Sequence, residues 1–361
     1  MMETERALIA MSGGVDSSVA AYLMKERGFD CMGVTMKLFA NEEIGLEKDK
    51  SCCSLSDTED ARAVALRLGI PYYVMNFSGD FEKYVIGRFI EAYENGITPN
   101  PCIDCNRFLK FAALYEKGHA LGCDYVVTGH YVRRAFDEKS SRYILKKGLD
   151  ESKDQSYVLW SLTQEQLKHS MFPLGELEKS RVREIAEAQG FVNAKKQDSQ
   201  DICFVTGSYT DFIRSRTGRE YPEGDFVDEE GHVLGRHKGI IHYTIGQRKG
   251  FGLSFPQPMY VKKIDTVNNT VVLAKNEALF TRALTASDVN LIALPAITEE
   301  IRVKARVRYH HKEQDALVTP LSDGRIRVLF DEPQRAVTKG QSLVLYDGDV
   351  VVGGGIISET E

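Results

Sequence analysis

Residues 7–18, Ala7-Leu8-Ile9-Ala10-Met11-Ser12-Gly13-Gly14-Val15-Asp16-Ser17-Ser18, decide how the rest of the chain is read. The short apolar run predicts a buried strand, and the paired glycines free the backbone for a tight turn. Asp16, Ser17 and Ser18 are capping-type residues at a helix start, and Val19-Ala20-Ala21-Tyr22-Leu23-Met24 continues that helix. A glycine loop between a strand and a helix N-terminus is an anion site. Its backbone N–H groups point inward, and the helix dipole adds partial positive charge. No lysine follows the glycines where G-x-x-x-x-G-K-[ST] needs one, so this is not a Walker A loop.

Outward from this stretch, strands alternate with helices. Residues 30–36 and 72–77 read as strands, 55–68 and 81–93 as amphipathic helices, 106–120 as a helix stopped at Gly122, and 124–128 as a fourth strand. The alternation predicts a doubly wound parallel α/β sheet, with ligands at the carboxyl ends of its strands. Residues 40–54 read as a polar, acidic loop, and residues 155–190 as mostly helical. From about residue 207 the periodicity drops to two and turn signals such as Asp323-Gly324 appear. Short strands are expected at 261–264, 271–274, 301–308, 316–319, 326–330 and 342–346. The predicted organisation is a catalytic α/β domain over residues 1–206, a small central β domain over 207–280 and a C-terminal β-barrel over 281–361.

A chain of 361 residues, 43% apolar and 27% charged, is long enough for two or three ordinary cores. No apolar run approaches a membrane span and no signal pattern opens the chain, so no membrane partner and a cytoplasmic location are expected. The net charge of −6 means that any nucleic-acid contact must come from local basic stripes. The seven cysteines, Cys31, Cys52, Cys53, Cys102, Cys105, Cys123 and Cys203, then read as reduced thiols.

Two stretches concentrate reactive sulfur. Thr98-Pro99-Asn100-Pro101-Cys102-Ile103-Asp104-Cys105-Asn106 is expected as a proline-stiffened loop directly before a helix, where the dipole favours a Cys105 thiolate. Asp198-Ser199-Gln200-Asp201-Ile202-Cys203-Phe204 puts another cysteine in a polar loop. A structural zinc site would want four ligands, and neither a second C-x-x-C nor an H-x-x-x-H partner accompanies the first pair. Cys31 and Cys123 flank strands and read as buried small apolar residues. Cys52 and Cys53 read as having no catalytic role.

The glycine loop resembles the pyrophosphate loop of the ATP pyrophosphatase superfamily, whose members adenylate a substrate oxygen and release pyrophosphate. Six motifs then follow in order: SGGVDSS at 12–18, TPNPCIDCN at 98–106, TGHY at 128–131, KDQSY at 153–157, DSQDICF at 198–204 and YTIGQRKG at 243–250. Together they span nearly the whole chain and resemble the tRNA-specific 2-thiouridylases. The resemblance implies adenylation of the C2 oxygen of the tRNA wobble uridine and its replacement by sulfur. It implies an ATP site at Ala10, Met11, Ser12, Gly13, Gly14, Val15, Asp16, Ser17, Met36 and Gly129, with Mg2+ and with Asp16 as a ligand or orienter. Cys105 matches the family's nucleophile and Cys203 its persulfide carrier, and the two end as a disulfide that a reductant must reset. Asn100, Pro101 and Cys102 match the target-base pocket. Lys153, Asp154, Gln155, His130, Arg308, Tyr309 and Gln341 match tRNA contacts. A sulfur-relay protein or cysteine desulfurase is the implied partner that loads Cys203.

Cys102 departs from the family, many members of which carry an aspartate there. Either Asp104 takes over its acid–base duty, or Cys102, Cys105 and Cys203 hold a [4Fe-4S] cluster with one open iron. Near the C-terminus, Ile301-Arg302-Val303-Lys304-Ala305-Arg306-Val307-Arg308-Tyr309 alternates strictly and sets four cations on one strand face. That face is expected to contact phosphates, with exposed solubilising charge as the ordinary alternative. The rival readings are another pyrophosphate-loop ligase or amidotransferase, an RNA-binding module with a decayed ATP site, and a thiol-redox protein. None of them needs the loop, three thiols and a basic barrel together.

Overall fold

The computed structural model describes residues 4–39, 55–198, 202–205 and 207–361. The expected 40–54 loop and Cys52-Cys53 lie outside the described residues.

The apolar run at the start forms β1 (Arg6–Ala10), followed by β2 (Asp30–Lys37), β3 (Tyr72–Asn76) and β4 (Tyr125–Val127). A hairpin of β5 (Val132–Asp137) and β6 (Arg142–Lys147) precedes the two-residue β7 (Ser170–Met171). The first sheet runs β3-β2-β1-β4-β7, parallel throughout. Helices Val15–Glu26 and Leu55–Leu68 cover one face, and the helical runs 78–94 and 101–120 belong to the other core. Ala7 and Ile9 enter one hydrophobic cluster and Leu8 the other, the period-two signature of a strand buried on both sides.

Two expectations change here. Residues 155–190 are helical only over Ser156–Leu159, Gln164–Lys168 and Lys179–Ala188, and β7 falls between them. The hairpin β5–β6 was not anticipated, and it leaves the parallel sheet altogether. Val350 pairs with Lys146, joining the hairpin to the barrel sheet.

A mixed sheet of β8 (Gly224–Val227), β9 (Val233–His237), β10 (Tyr260–Asp265) and β11 (Thr270–Ala274) comes next. It is preceded by a helix, Tyr209–Thr217, in a region expected to be all β. The chain then forms β12 (Phe280–Leu291), β13 (Ile301–Arg306), β14 (Gln314–Pro320), β15 (Ile326–Arg335), β16 (Ser342–Asp347) and β17 (Val350–Thr360). Pairing of β12 with both β15 and β17 closes these six antiparallel strands into the expected barrel. Its interior is Leu284, Ala305, Val318, Val328, Phe330 and their neighbours.

Candidate functional site

The glycine loop leaves the carboxyl end of β1, at the point where strand order reverses between β2 and β4. Gly13 has φ +77°, and a Cβ there would collide with the backbone carbonyl of Asp57. Gly14 is the helix cap, with no side-chain capping bond. The Ser17 and Ser18 hydroxyls, expected as caps, instead each donate to the Gly14 carbonyl at 3.0 Å, while the Ser12 N–H donates to Ser17 Oγ at 3.2 Å. Gly129, after β4, packs so closely that a Cβ would lie 2.8 Å from the Asp16 carbonyl carbon. The expected ATP residues 10–17 and Gly129 are thereby brought together, and Met36 is buried one residue before the end of β2, the strand paired with β1.

Asp16 is an oriented carboxylate. It accepts from the Tyr131 hydroxyl at 2.7 Å and, through its two oxygens, from Lys179 Nζ at 2.7 and 2.8 Å. Burial and the neighbouring Asp16 push the Tyr131 hydroxyl pKa up, so it remains a donor. Lys179 is only 8% exposed and also pairs with Asp198 at 2.8 Å. Burial works against the charge of Asp198, but Lys179 and Lys153 outweigh it and hold that carboxyl below its ordinary range. The cation that the glycine loop lacks in sequence is therefore supplied by a helix far along the chain. Sequence reasoning read residues 155–190 as mostly helical and did not single out Lys179.

The thiol stretch differs from the expected loop. The helix starts at Pro101, with Asn100 as its extended cap residue, and runs to Ala120. Proline at the first helical position loses no hydrogen bond and has its φ already set, so it starts the helix five residues early. Cys102 and Cys105 sit three residues apart on this run, Cys102 exposed and Cys105 buried. Cys105 begins a section, Cys105–Ala113, wound with wider i→i+5 bonds. Cys203 packs against the same hydrophobic cluster that contains Cys105. Its neighbour Phe204 is fully buried, edge-on to Phe81 at 5.5 Å and to Phe89 at 5.2 Å, which pins the Cys203 segment to helix 78–94.

Asp104 turns elsewhere and accepts from Arg88 Nε at 3.2 Å. Burial raises its carboxyl pKa, with Arg88 opposing. The disulfide expected of the chain is not found among the described residues. Among those residues, the only group of three or more His, Cys and carboxylate side chains with ligand atoms within 4.8 Å of one another is Asp228, Glu230 and His232. No single-ion site is therefore preformed by the three thiols. Burial followed by Asp30 pushes the Cys31 thiol up to about 11, and burial raises Cys123. Both are structural cysteines.

The expected RNA-contacting residues are scattered in exposure. His130 is buried, bonded through Nδ1 to Thr128 Oγ1 at 2.7 Å, and burial drives its pKa well below 6.5. Asp154 is buried too, accepting from the Gly148 and Ser156 N–H groups at 3.1 Å each and from Ser156 Oγ at 2.8 Å. Gln155 accepts from the Tyr131 N–H, and Lys153 pairs with Asp198 at 2.9 Å. The Tyr309 hydroxyl donates to the Asp154 carbonyl at 3.2 Å. Gln341 Nε2 donates to the carbonyls of Thr98 and Pro99 at 2.8 and 3.3 Å, tying a barrel turn to the start of the thiol segment.

The basic strand is also more committed than its sequence suggests. Arg302 pairs with Asp331, Lys304 with Asp315 and Arg306 with Glu313. Strand β13 ends at Arg306, and Arg308 turns inward to the carbonyls of Ile245 and Ala336 and to Thr338 Oγ1. Acids from elsewhere in the barrel, one of them Asp315 directly opposite Lys304 on β14, are invisible in the alternation of 301–309 and account for the difference. A cavity of about 360 Å³ lies beside Arg308 and Gln341, lined also by Thr98 and Thr244-Ile245-Gly246-Gln247.

Comparison with known proteins matches residues 5–207 to a tRNA methyl transferase HUP domain, 210–275 to the PRC-barrel domain of the same series and 281–357 to an aminomethyltransferase beta-barrel domain. The chain is 51% identical over 361 residues, 100% of both chains, to the tRNA-specific 2-thiouridylase MnmA of Clostridioides difficile (strain 630). It is 51% identical to that of Acetivibrio thermocellus, covering 99% of this chain and 100% of the other. It is 52% identical to MnmA 1 of Thermoanaerobacter sp. (strain X514), covering 99% of each. No helix among the described residues is long and apolar enough to cross a membrane.

Proposed function

This chain belongs to the tRNA-specific 2-thiouridylase family, and from that premise we propose how its own residues divide the work of the reaction. The chain is an ATP-dependent sulfurtransferase acting on the wobble uridine of tRNA. One observation carries the assignment. Full-length identity of 51% to a 2-thiouridylase coincides with a glycine loop built at the sheet's switch point.

In the proposed division, residues 10–17, Met36 and Gly129 seat ATP, and the loop N–H groups face the pyrophosphate. Asp16, held by Lys179 and Tyr131, acts as an orienter, and Mg2+ comes with the ATP phosphates. The uracil C2 oxygen attacks the α-phosphorus and pyrophosphate leaves. The terminal sulfur of a Cys203 persulfide then adds to C2, and AMP departs with the former oxygen. Cys105 thiolate attacks the Cys203 Sγ, and the S–S electron pair passes to the sulfur on C2 to make the thiocarbonyl. The resulting Cys105–Cys203 disulfide needs an external dithiol, and a sulfur-relay protein or cysteine desulfurase must reload Cys203.

The same proposal keeps domains at 1–206, 207–280 and 281–361, and a base pocket at Asn100, Pro101 and Cys102. Its tRNA track is Lys153, Gln155, Arg308, Tyr309 and Gln341. His130 and Asp154 support that track from the interior. A second reading rests on the thiol at Cys102, since Asp104 is engaged by Arg88. Three thiols suit a [4Fe-4S] cluster held by Cys102, Cys105 and Cys203, which when bound would supply an open, sulfur-binding iron.

Anaerobic purification with iron and acid-labile sulfide analysis tests the two. Thiolation by metal-free enzyme with a sulfur donor, lost in Cys105→Ala and Cys203→Ala, supports the persulfide route. Stoichiometric iron that is required for thiolation and lost in each of Cys102→Ala, Cys105→Ala and Cys203→Ala overturns it.

A further inference from the structure

The Gly13 carbonyl is turned out of the ATP loop and held by side chains some 180 residues away in sequence. Asn193 Nδ2 donates to Gly13 O at 2.9 Å and to Ser18 Oγ at 2.9 Å, and Lys196 Nζ lies 3.3 Å from the same carbonyl. Asn193 is 2% exposed, and its own Oδ1 has no partner among the described residues. Lys196 is anchored by Asp57 and Asp60 at 2.6 Å each, on the helix whose backbone presses on Gly13. The Ser18 hydroxyl passes the contact on to the Gly14 carbonyl at 3.0 Å.

A trans peptide places its N–H opposite its C=O. Fixing the Gly13 carbonyl on the Asn193 side therefore aims the Gly14 N–H away from it, towards the side where an anion would sit. Gly13, at φ +77°, has no Cβ to hold that peptide in one orientation. Without the bracket, the carbonyl can swing inward and present its negative end to a phosphate.

We propose that Asn193, supported by Lys196, is a positioning residue that sets the Gly13–Gly14 peptide for pyrophosphate recognition. The proposal rests on the ATP reading above. It predicts that loss of the bracket weakens ligands carrying a pyrophosphate and spares the nucleoside monophosphate.

The test is calorimetric titration of the full chain with α,β-methylene-ATP, inorganic pyrophosphate and AMP, alongside thermal melts. Asn193→Ala is expected to weaken the first two by about tenfold, the scale of one good hydrogen bond, and AMP by less than twofold. Asn193→Thr, which restores a donor, should recover most of the loss. Should Asn193→Ala fail to fold, Asn193→Leu has nearly the same shape without the donor or an added charge and carries the same expectation. Unchanged ATP-analogue affinity overturns the proposal, as does AMP weakened as much as pyrophosphate, or no recovery in Asn193→Thr. Failure of the unaltered chain to bind the ATP analogue would instead overturn the ATP reading itself.

Discussion

Lys179 Nζ bridges two carboxylates, Asp16 on the helix after the glycine loop and Asp198 at the start of the Cys203 segment, at 2.7 and 2.8 Å. One buried cation thus neutralises two acids that would otherwise face each other beside a phosphate site. Lys179→Met strips Asp16 of this cation and leaves Asp198 to Lys153 and Arg183. We expect a loss of about 2 kcal/mol in stability, below the full buried-pair value because both acids are partly exposed. ATP–pyrophosphate exchange should fall at least tenfold. Urea unfolding and exchange assays measure the two effects, and unchanged exchange would remove Lys179 from the ATP site.

Gln341 and its neighbour Gly340 test the link between barrel and thiol helix. Gly340 has φ +84°, and a Cβ there would run into Ile97. Gly340→Ala should displace the 97–99 segment. Gln341→Ala removes two bonds to it, a cost of about 1 kcal/mol. Both variants should lower the rate of tRNA thiolation while ATP binding stays within twofold. Equal loss of both activities would mean general damage.

Thiol reactivity should follow burial. With its pKa raised to about 11, Cys31 is almost wholly protonated at pH 7.5, and iodoacetamide should leave it unmodified while it labels exposed Cys102. Labelling of Cys31 should begin only as pH approaches 11 or the chain unfolds. Peptide mass mapping across pH 7–10 reads this directly, and early modification of Cys31 contradicts the structure.

His130 sets a pH dependence with a definite sign. Its folded pKa lies well below the unfolded 6.5, so below pH 6.5 the unfolded chain binds a proton that the folded chain does not. Stability from this group is complete above pH 6.5. It falls as pH drops below that value, by at most about 1.4 kcal/mol per pH unit. Urea midpoints from pH 8 to 5 should show this slope, reduced in a folded His130→Gln variant. A slope identical in the two proteins would assign the acid sensitivity elsewhere.

The parallel sheet was legible because alternating strands and helices, glycine stops and the SGGVDSS turn are local signals. Leu55–Leu68 falls where its pattern put it, and Gly69 follows with the positive φ of a helix stop, +63°. The β5–β6 hairpin was not legible, since Arg133, Arg134, Lys146 and Lys147 hide its alternation and its destination is a barrel two hundred residues away. The helix start at Pro101 was available from the proline itself, but two prolines in four residues read equally well as a stiff loop.

By itself the sequence determined which chemical groups the chain carries: a glycine loop for an anion, the thiols Cys102, Cys105 and Cys203 in two polar motifs, and a strand of alternating cations. Tertiary structure decided which of those groups are available. It neutralised Arg302, Lys304 and Arg306 with acids from elsewhere in the barrel, buried His130 and Asp154, and brought Lys179, Asn193 and Lys196 to a loop that has no cation of its own. The reason is physical. Backbone conformation answers to neighbours along the chain, whereas the partners of a charge or carbonyl come from whatever the packed sheet and barrel place within about 3 Å.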